Sequence, residues 1–421
     1  MTGSGLVRPA PVAAGKRTRY PVWESLIPPS QYGSPERHAV GARGTRVRFA
    51  DGRWALCATS GLWNVNLGYG NQAIADAVAR SLAEASYLTL FRGGHSLAVR
   101  AARALLELCG PDHFGRVLFS TSGGAANDVV MKLVRHHQAL LGDERRRVVV
   151  GLRGSYHGLT YGSFGLTGED LGQRTYGVDQ RAVRHVSHED ETELAALLAR
   201  EGHRIAAVVL EPVLGSGAHP VSPRLIAALG PLRERHGFLL VADEVATGFG
   251  RTGELFASQS WPVRPDVLIT SKGLTNGTCA ASAIVVSHDV CEVFERADSV
   301  LVHGETQAGS PSSCAAVLAT IEELARLDGC AKARENSVRL DGLLDRLSAH
   351  PLVRGHRGTG CFRAIELTGR SAEVVAAARA AGLIVQPGPD CVQLVPALTY
   401  TAEDFEELET LLIRALDEVA G

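Results

Sequence analysis

Between residues 117 and 286 the chain repeats one unit, a short run that is apolar throughout followed by a segment of helical spacing. The runs are Val117-Leu-Phe-Ser, Val148-Val-Val-Gly, Ile205-Ala-Ala-Val-Val-Leu, Phe238-Leu-Leu-Val-Ala, Val267-Leu-Ile-Thr and Ala283-Ile-Val-Val. A run without polar alternation suits a strand covered on both faces, as in a mainly parallel sheet. The helical spacing over 125–141, 191–201 and 222–236 supplies the covering layers, so the pattern predicts an α/β fold.

The alternation has limits on both sides. Residues 1–40 are rich in Pro, Gly and Arg and read as an extended arm. The stretch from Arg46 to Leu56 has strand character on either side of Asp51-Gly52, a hairpin signal. Residues 72–87 and 95–109 carry apolar positions at helical spacing. Beyond residue 310 come a long, interrupted helical stretch over 312–348, strand candidates at Cys361–Leu367 and Cys391–Val395 around a helix at 371–381, and a last helix over 402–419. Three segments are expected: an N-terminal arm with a small-domain segment at 1–70, a large α/β domain at 71–310, and a smaller α+β domain at 311–421.

Charge and cysteine usage exclude several classes. A net charge of −2 gives no electrostatic ground for nucleic acid or an anionic membrane. No apolar run approaches the ~20 residues needed to span a bilayer, and the first 20 residues lack a secretory hydrophobic core. The eight cysteines are scattered without a C-x-x-C pair, and the histidines show no metal spacing, so neither a disulfide framework nor a metal site is expected. A cytoplasmic location follows as an expectation. The only lysines are Lys16, Lys132, Lys272 and Lys332; arginine, which does not act as an amine nucleophile, supplies the remaining positive charge.

In an open parallel sheet, ligands bind beyond the carboxyl ends of the strands. After the run at Val117 comes Thr121-Ser-Gly-Gly-Ala-Ala-Asn, opening a helix. Small residues and a helix N-terminus there suit a phosphate, although such a turn is by itself often only a turn. After the run at Phe238 comes Asp243-Glu-Val-Ala-Thr-Gly-Phe-Gly-Arg-Thr-Gly. A carboxylate in an apolar surround calls for a cation, which a protonated pyridine nitrogen, or more simply Arg251, would supply. After the run at Val267 comes Ser271-Lys-Gly-Leu-Thr-Asn-Gly. Desolvation of Lys272 would lower its pKa and make it nucleophilic toward an aldehyde; a snorkelling surface lysine is the plainer reading. An anion cradle, a carboxylate and a lysine, all at strand ends, together match the needs of pyridoxal 5′-phosphate (PLP).

With these motifs in view the sequence resembles the class III aminotransferases of PLP fold type I over about residues 35–415. Supporting motifs are Ser122-Gly-Gly-Ala-Ala-Asn-Asp, Tyr156-His-Gly, Glu211-Pro-Val and His303-Gly-Glu-Thr-Gln-Ala-Gly-Ser-Pro. The resemblance implies that Lys272 is the Schiff-base amine and proton shuttle and that Asp243 keeps the pyridine nitrogen protonated. It places Val245 and Tyr156 on the two ring faces. It puts Ser122, Gly123 and Gly124 at the phosphate and Glu211 and His157 near the ring. Thr306 would reach the phosphate of a neighbouring subunit, hence a homodimer with shared active sites, with His303 orienting its loop. Arg251 is expected to be structural. The implied reaction is ping-pong amino transfer from an amine or amino-acid donor to a ketone or aldehyde.

Two departures bear on the substrate. Gln393-Leu-Val-Pro-Ala-Leu stands where the family often carries an arginine that grips the substrate carboxylate, and Gln386-Pro387 stands at a second arginine position. An amide is a poor substitute for a bidentate guanidinium. The expectation is a substrate without a carboxylate at the usual place: a neutral carbonyl on a natural-product intermediate, or the C-terminal ketone of a modified peptide, as in daptide-type tailoring. Arg357 and Arg363 are candidate replacement anchors, with exposed loop arginines as the plainer reading. Trp63, Tyr20 and Trp23 are candidates for the substrate entrance, equally readable as packing aromatics. An ω-amino acid or diaminopelargonate-type aminotransferase, a PLP racemase, aminomutase or decarboxylase, and an inactive PLP-binding partner subunit are the alternatives.

Overall fold

The computed structural model describes residues 20–421. Fifteen strands run β1 (Ala39–Arg43), β2 (Arg46–Phe49), β3 (Trp54–Cys57), β4 (Phe114–Ser120), β5 (Val148–Leu152), β6 (Val183–Val186), β7 (Ile205–Leu210), β8 (Leu239–Asp243), β9 (Val267–Thr270), β10 (Ser282–Ser287), β11 (Val353–Thr359), β12 (Phe362–Leu367), β13 (Leu383–Ile384), β14 (Gln386–Gly388) and β15 (Cys391–Leu394). The central sheet is seven-stranded, in the order β4-β10-β9-β8-β7-β5-β6. All six apolar runs are strands of it. The seventh, β6, is an edge strand whose Arg184 and His185 kept it from reading as apolar.

β10 is antiparallel to both its neighbours, whereas β9, β8, β7, β5 and β6 pair in parallel. Residues alternate between two covered faces. Val149, Val209, Val241, Val267 and Ile269 pack with Val130 and Val134 of the helix Gly123–Leu140. Val150, Val208, Leu210 and Leu240 pack with Leu194 and Leu198 of Thr192–Glu201 and with Leu225 and Leu229 of Pro223–His236. Full burial of each such side chain contributes roughly 1.5–3 kcal/mol, which is why these runs carry no polar alternation.

The hairpin at Asp51-Gly52 is β2–β3, and β3 pairs in parallel with β13 far along the chain. The helical stretch after residue 310 is two helices, Pro311–Arg326 and Gly329–Leu347, broken where Asp328 takes φ 48°. β11, β12, β15 and β14 form a third sheet. One face of it, with Ile365, Leu367, Val392 and Leu394, joins the main apolar core. The other, with Phe362, Ala364, Cys391 and Val395, packs on Trp63, Val213, Ala218 and Ala246. All eight cysteines are free thiols, five of them buried.

Candidate active site

Three adjacent strands end in three ionisable groups. β8 ends in Asp243, and its neighbours β7 and β9 lead into Glu211 and Lys272. Strands lie about 4.8 Å apart, so the sheet itself sets the spacing of these side chains.

Lys272 opens a short 3₁₀ turn, Lys272–Thr275, with its own φ at 46°, in the left-handed region. Asn276 ties the turn to the 60–68 segment, accepting from Leu67 N–H at 2.9 Å and donating to Gly68 O at 3.0 Å. The Lys272 Nζ lies 4.9 Å from the centre of the Trp63 ring. Among the described residues it has no carboxylate within 4.0 Å. Burial pushes the ammonium below the ordinary lysine value; Glu211 and Asp243 act against that, and Arg251 adds to it. Lys272 is therefore not the snorkelling surface lysine.

Asp243 is buried and accepts three hydrogen bonds. Its Oδ2 takes Asn127 Nδ2 at 2.8 Å and His157 Nδ1 at 2.7 Å, and its Oδ1 takes Val245 N–H at 3.1 Å. Burial works against the His157 cation, but the bond to Asp243 and its charge outweigh that and raise the imidazole above its ordinary value. Glu211 accepts from Tyr156 N–H at 2.8 Å and Gly215 N–H at 3.0 Å. Burial pushes it up to about 7, against the pull of His157.

The anion cradle is the N-terminus of the helix Gly123–Leu140. Ser122 is its N-cap, and its Oγ accepts from Ala125 N–H at 3.1 Å. Thr121 N–H is taken by Glu305 at 3.1 Å. The N–H groups of Gly123 and Gly124, at the first two helical positions, are the ones a helix leaves without internal partners. The cradle is closely packed at two glycines: a Cβ on Gly123 would lie 3.0 Å from Val245, and a Cβ on Gly158, which backs Gly124, would lie 2.5 Å from Gly124 Cα.

These residues fit PLP. Two backbone donors at a helix end suit its phosphate. A buried carboxylate tied to His157 suits a pyridinium. Lys272 is an amine without a carboxylate beside it. His157 Nε2 and Asn127 Oδ1 are buried without partners next to Asp243.

Other expectations fare differently. Arg251 is fully buried yet does not pair with Asp243. It donates to Cys361 O (3.3 Å), Pro396 O, Ser60 Oγ (3.1 Å) and Asn66 Oδ1 (2.6 Å). Arg357 and Arg363 are not exposed loop residues. Both lie on strands of the third sheet, Arg357 bonded to Gly217 O at 2.6 Å and to Glu366, and Arg363 to Asp341 at 2.6 Å and Ser337 at 3.0 Å. Gln393 is buried, with Nε2 3.5 Å from Pro387 O and Oε1 unpartnered. Thr306 is exposed and its carbonyl accepts from Tyr87 OH at 2.9 Å. His303 sits 3.4 Å from both Lys132 Nζ and Glu305 Oε1. Tyr20 meets His38 and Trp23 meets Tyr32, contacts within the N-terminal region rather than with Lys272.

One feature of the site had no sequence signal beyond Gly61. Ser60, Gly61, Leu62 and Trp63 are all left-handed, with φ of 46°, 55°, 62° and 63°. Three of these are not glycine, at roughly 1–2 kcal/mol each. The turn carries Trp63, 8% exposed, onto the Lys272 amine and edge-on to Phe362 at 5.5 Å, while Leu62 faces solvent.

Sheet order, the lysine turn and the glycine cradle define a PLP-dependent transferase of fold type I. The class III aminotransferase profile matches residues 30–416, and the chain belongs to that family of PLP-dependent enzymes. It is 35% identical to an acetylornithine aminotransferase of Mycolicibacterium smegmatis, over 94% of this chain and 98% of that protein. It is 29% identical to an ω-aminotransferase of Caulobacter vibrioides, over 94% and 97%. Among solved structures, an amine transaminase from an uncultivated Pseudomonas species, in its PLP-bound form, superposes with a TM-score of 0.88 at 26% identity, covering 96% of this chain and 100% of that one. The ω-transaminase of Pseudomonas jessenii in complex with PMP gives 0.86 at 27%, covering 91% and 92%.

Proposed function

We propose that this aminotransferase moves an amino group between a donor amine and a neutral ketone or aldehyde carried on a larger molecule, such as a natural-product intermediate or the C-terminal ketone of a modified peptide. One observation carries the reading: Gln393 stands at the family's carboxylate-anchor position, and the guanidinium on its face of the sheet, Arg357, is already bonded to Glu366, while Arg363 lies on the opposite face with Asp341. A carboxylate brought there would meet an amide and one occupied arginine.

In this reading PLP supplies the electron sink. Gly123 and Gly124 N–H hold its phosphate, and Asp243, backed by His157 and Asn127, holds the ring nitrogen protonated. Val245 and Tyr156 flank the ring. Lys272 Nζ is the nucleophile and carries the proton; its lowered pKa keeps a larger neutral fraction at working pH than an exposed lysine would have. Glu211 fixes Tyr156 by gripping its backbone N–H. Trp63 walls the side of Lys272 from which substrate approaches. Thr306 serves the partner active site of a cytoplasmic homodimer.

A donor and acceptor screen on purified holoenzyme, followed by cofactor absorbance, tests the substrate class. Neutral amines and ketones are expected to turn over best. A strong preference for ornithine, 4-aminobutyrate or another ω-amino acid would reject it.

A further inference from the structure

Arg251 is a charge the fold has sealed in with no carboxylate to match it among the described residues. Burying an unpaired guanidinium is costly, and burial lowers its pKa to about 10. What it receives in return is four acceptors from separate parts of the chain. Ser60 Oγ and Asn66 Oδ1 bracket the left-handed turn. Cys361 O and Pro396 O flank β12 and β15, the strands whose Phe362, Ala364 and Cys391 close on Trp63 from the other side. The clamp continues from Ser60 Oγ, which donates to Val395 O at 2.6 Å, and from Asn66 Nδ2, which donates to Phe249 O at 2.9 Å. Asn66 also lies against the residue after the lysine, since a Cβ on Gly273 would be 2.7 Å from its Nδ2.

The turn needs such a brace. Three non-glycine residues in a row of four left-handed ones do not hold that conformation alone. Its outer residue, Leu62, is 52% exposed and gives little packing. A lysine at 251 could not replace the clamp, because one ammonium cannot present a planar fork to acceptors on both sides.

We propose that Arg251 is a positioning residue for substrate selection: it holds the turn Ser60–Trp63 in its left-handed form and so fixes the indole of Trp63 over the Lys272 amine. This rests on the reading of Trp63 as a substrate wall. Arg251 itself touches neither Lys272 nor substrate; it acts through the turn.

The test is a double-mutant cycle on holoenzyme, with Trp63→Ala, Arg251→Lys and the double variant, read as the ratio of kcat/KM for a bulky and a small amine. Trp63→Ala is expected to shift the ratio toward the bulky amine by about tenfold. Arg251→Lys shifts it the same way, and adding Arg251→Lys to Trp63→Ala changes it little further. Hydrogen exchange gives the second readout: amides of residues 60–65 exchange faster in Arg251→Lys and, to a smaller degree, in the milder Ser60→Ala, which serves where the lysine variant does not fold. Additive selectivity shifts, or unchanged exchange at 60–65 in folded variants, overturn the proposal. If Trp63→Ala alone leaves the ratio unchanged, the wall reading fails, and the exchange arm still decides whether Arg251 braces the turn.

Discussion

Replacing Asp243 by asparagine is expected to reverse the titration of a histidine that is fully buried behind it. In the native protein His157 Nδ1 donates to Asp243 Oδ2 at 2.7 Å, and that bond lifts the imidazole above 6.5 in spite of its burial. Without the carboxylate, burial dominates. His137 shows what burial alone does in this fold, pushing an imidazole down to about 4. The weaker attraction of Glu211 remains, so the His157 pKa is expected to fall below the ordinary imidazole value, reversing the direction of its shift and disfavouring the protonated form. An amide also offers one acceptor oxygen where the carboxylate offers two. Either Val245 N–H or the Asn127–His157 pair then faces an NH₂ group, at about 1–3 kcal/mol for an unpaired buried donor. The assay is an NMR titration of the His157 ring protons in apoenzyme, assigned with a His157→Gln variant, alongside thermal unfolding. A His157 pKa still above 6.5 in Asp243→Asn, with stability unchanged, would refute the electrostatic account of this pair.

Three further outcomes follow from the geometry. Gly158→Ala puts a Cβ on a residue with φ 122°, 2.5 Å from Gly124 Cα, so it is expected to cost about 2–4 kcal/mol in chemical denaturation and to weaken PLP retention on dialysis; native-like values for both would contradict the cradle packing. Burial raises Glu211 from 4.5 to about 7, so the folded state binds an extra proton between those values and apoenzyme stability falls as pH rises through them; Glu211→Gln is expected to flatten that decline, and an identical slope in the variant would count against it. Arg357→Gln breaks a half-buried pair with Glu366, with an expected loss of about 1–3 kcal/mol in stability, yet it should leave KM for carboxylate-bearing acceptors within about threefold. A large selective rise in that KM would make Arg357 the missing anchor.

The legible parts of the chain share a physical cause. Strands covered on both faces must be apolar at every position, and the six central runs were, so the large sheet could be read directly. β6 and β11 could not: β6 is an edge strand with two polar residues in four, and β11 reads Val-Arg-Gly-His-Arg-Gly-Thr, paired along one side by β12. The motifs led to the strand ends at Glu211, Asp243 and Lys272 because a polar group following a buried run stands out locally. What stayed hidden depends on contacts between distant segments. Nothing local to Arg251 announces acceptors at Ser60, Asn66, Cys361 and Pro396, and Ser-Gly-Leu-Trp carries no mark of a left-handed turn except its glycine. Arg357 reads as a loop residue for the same reason that β11 is hidden, whereas Arg363 falls within the legible strand β12 and only its partners, Ser337 and Asp341 of a distant helix, are out of sight of the sequence.

Reduction of holoenzyme with borohydride, followed by proteolysis and mass mapping, locates the lysine that holds the coenzyme. A single pyridoxyl adduct is expected, on the peptide containing Lys272, and it disappears in Lys272→Ala. An adduct on Lys132 or Lys332, or none on a protein that retains its coenzyme, would contradict that assignment.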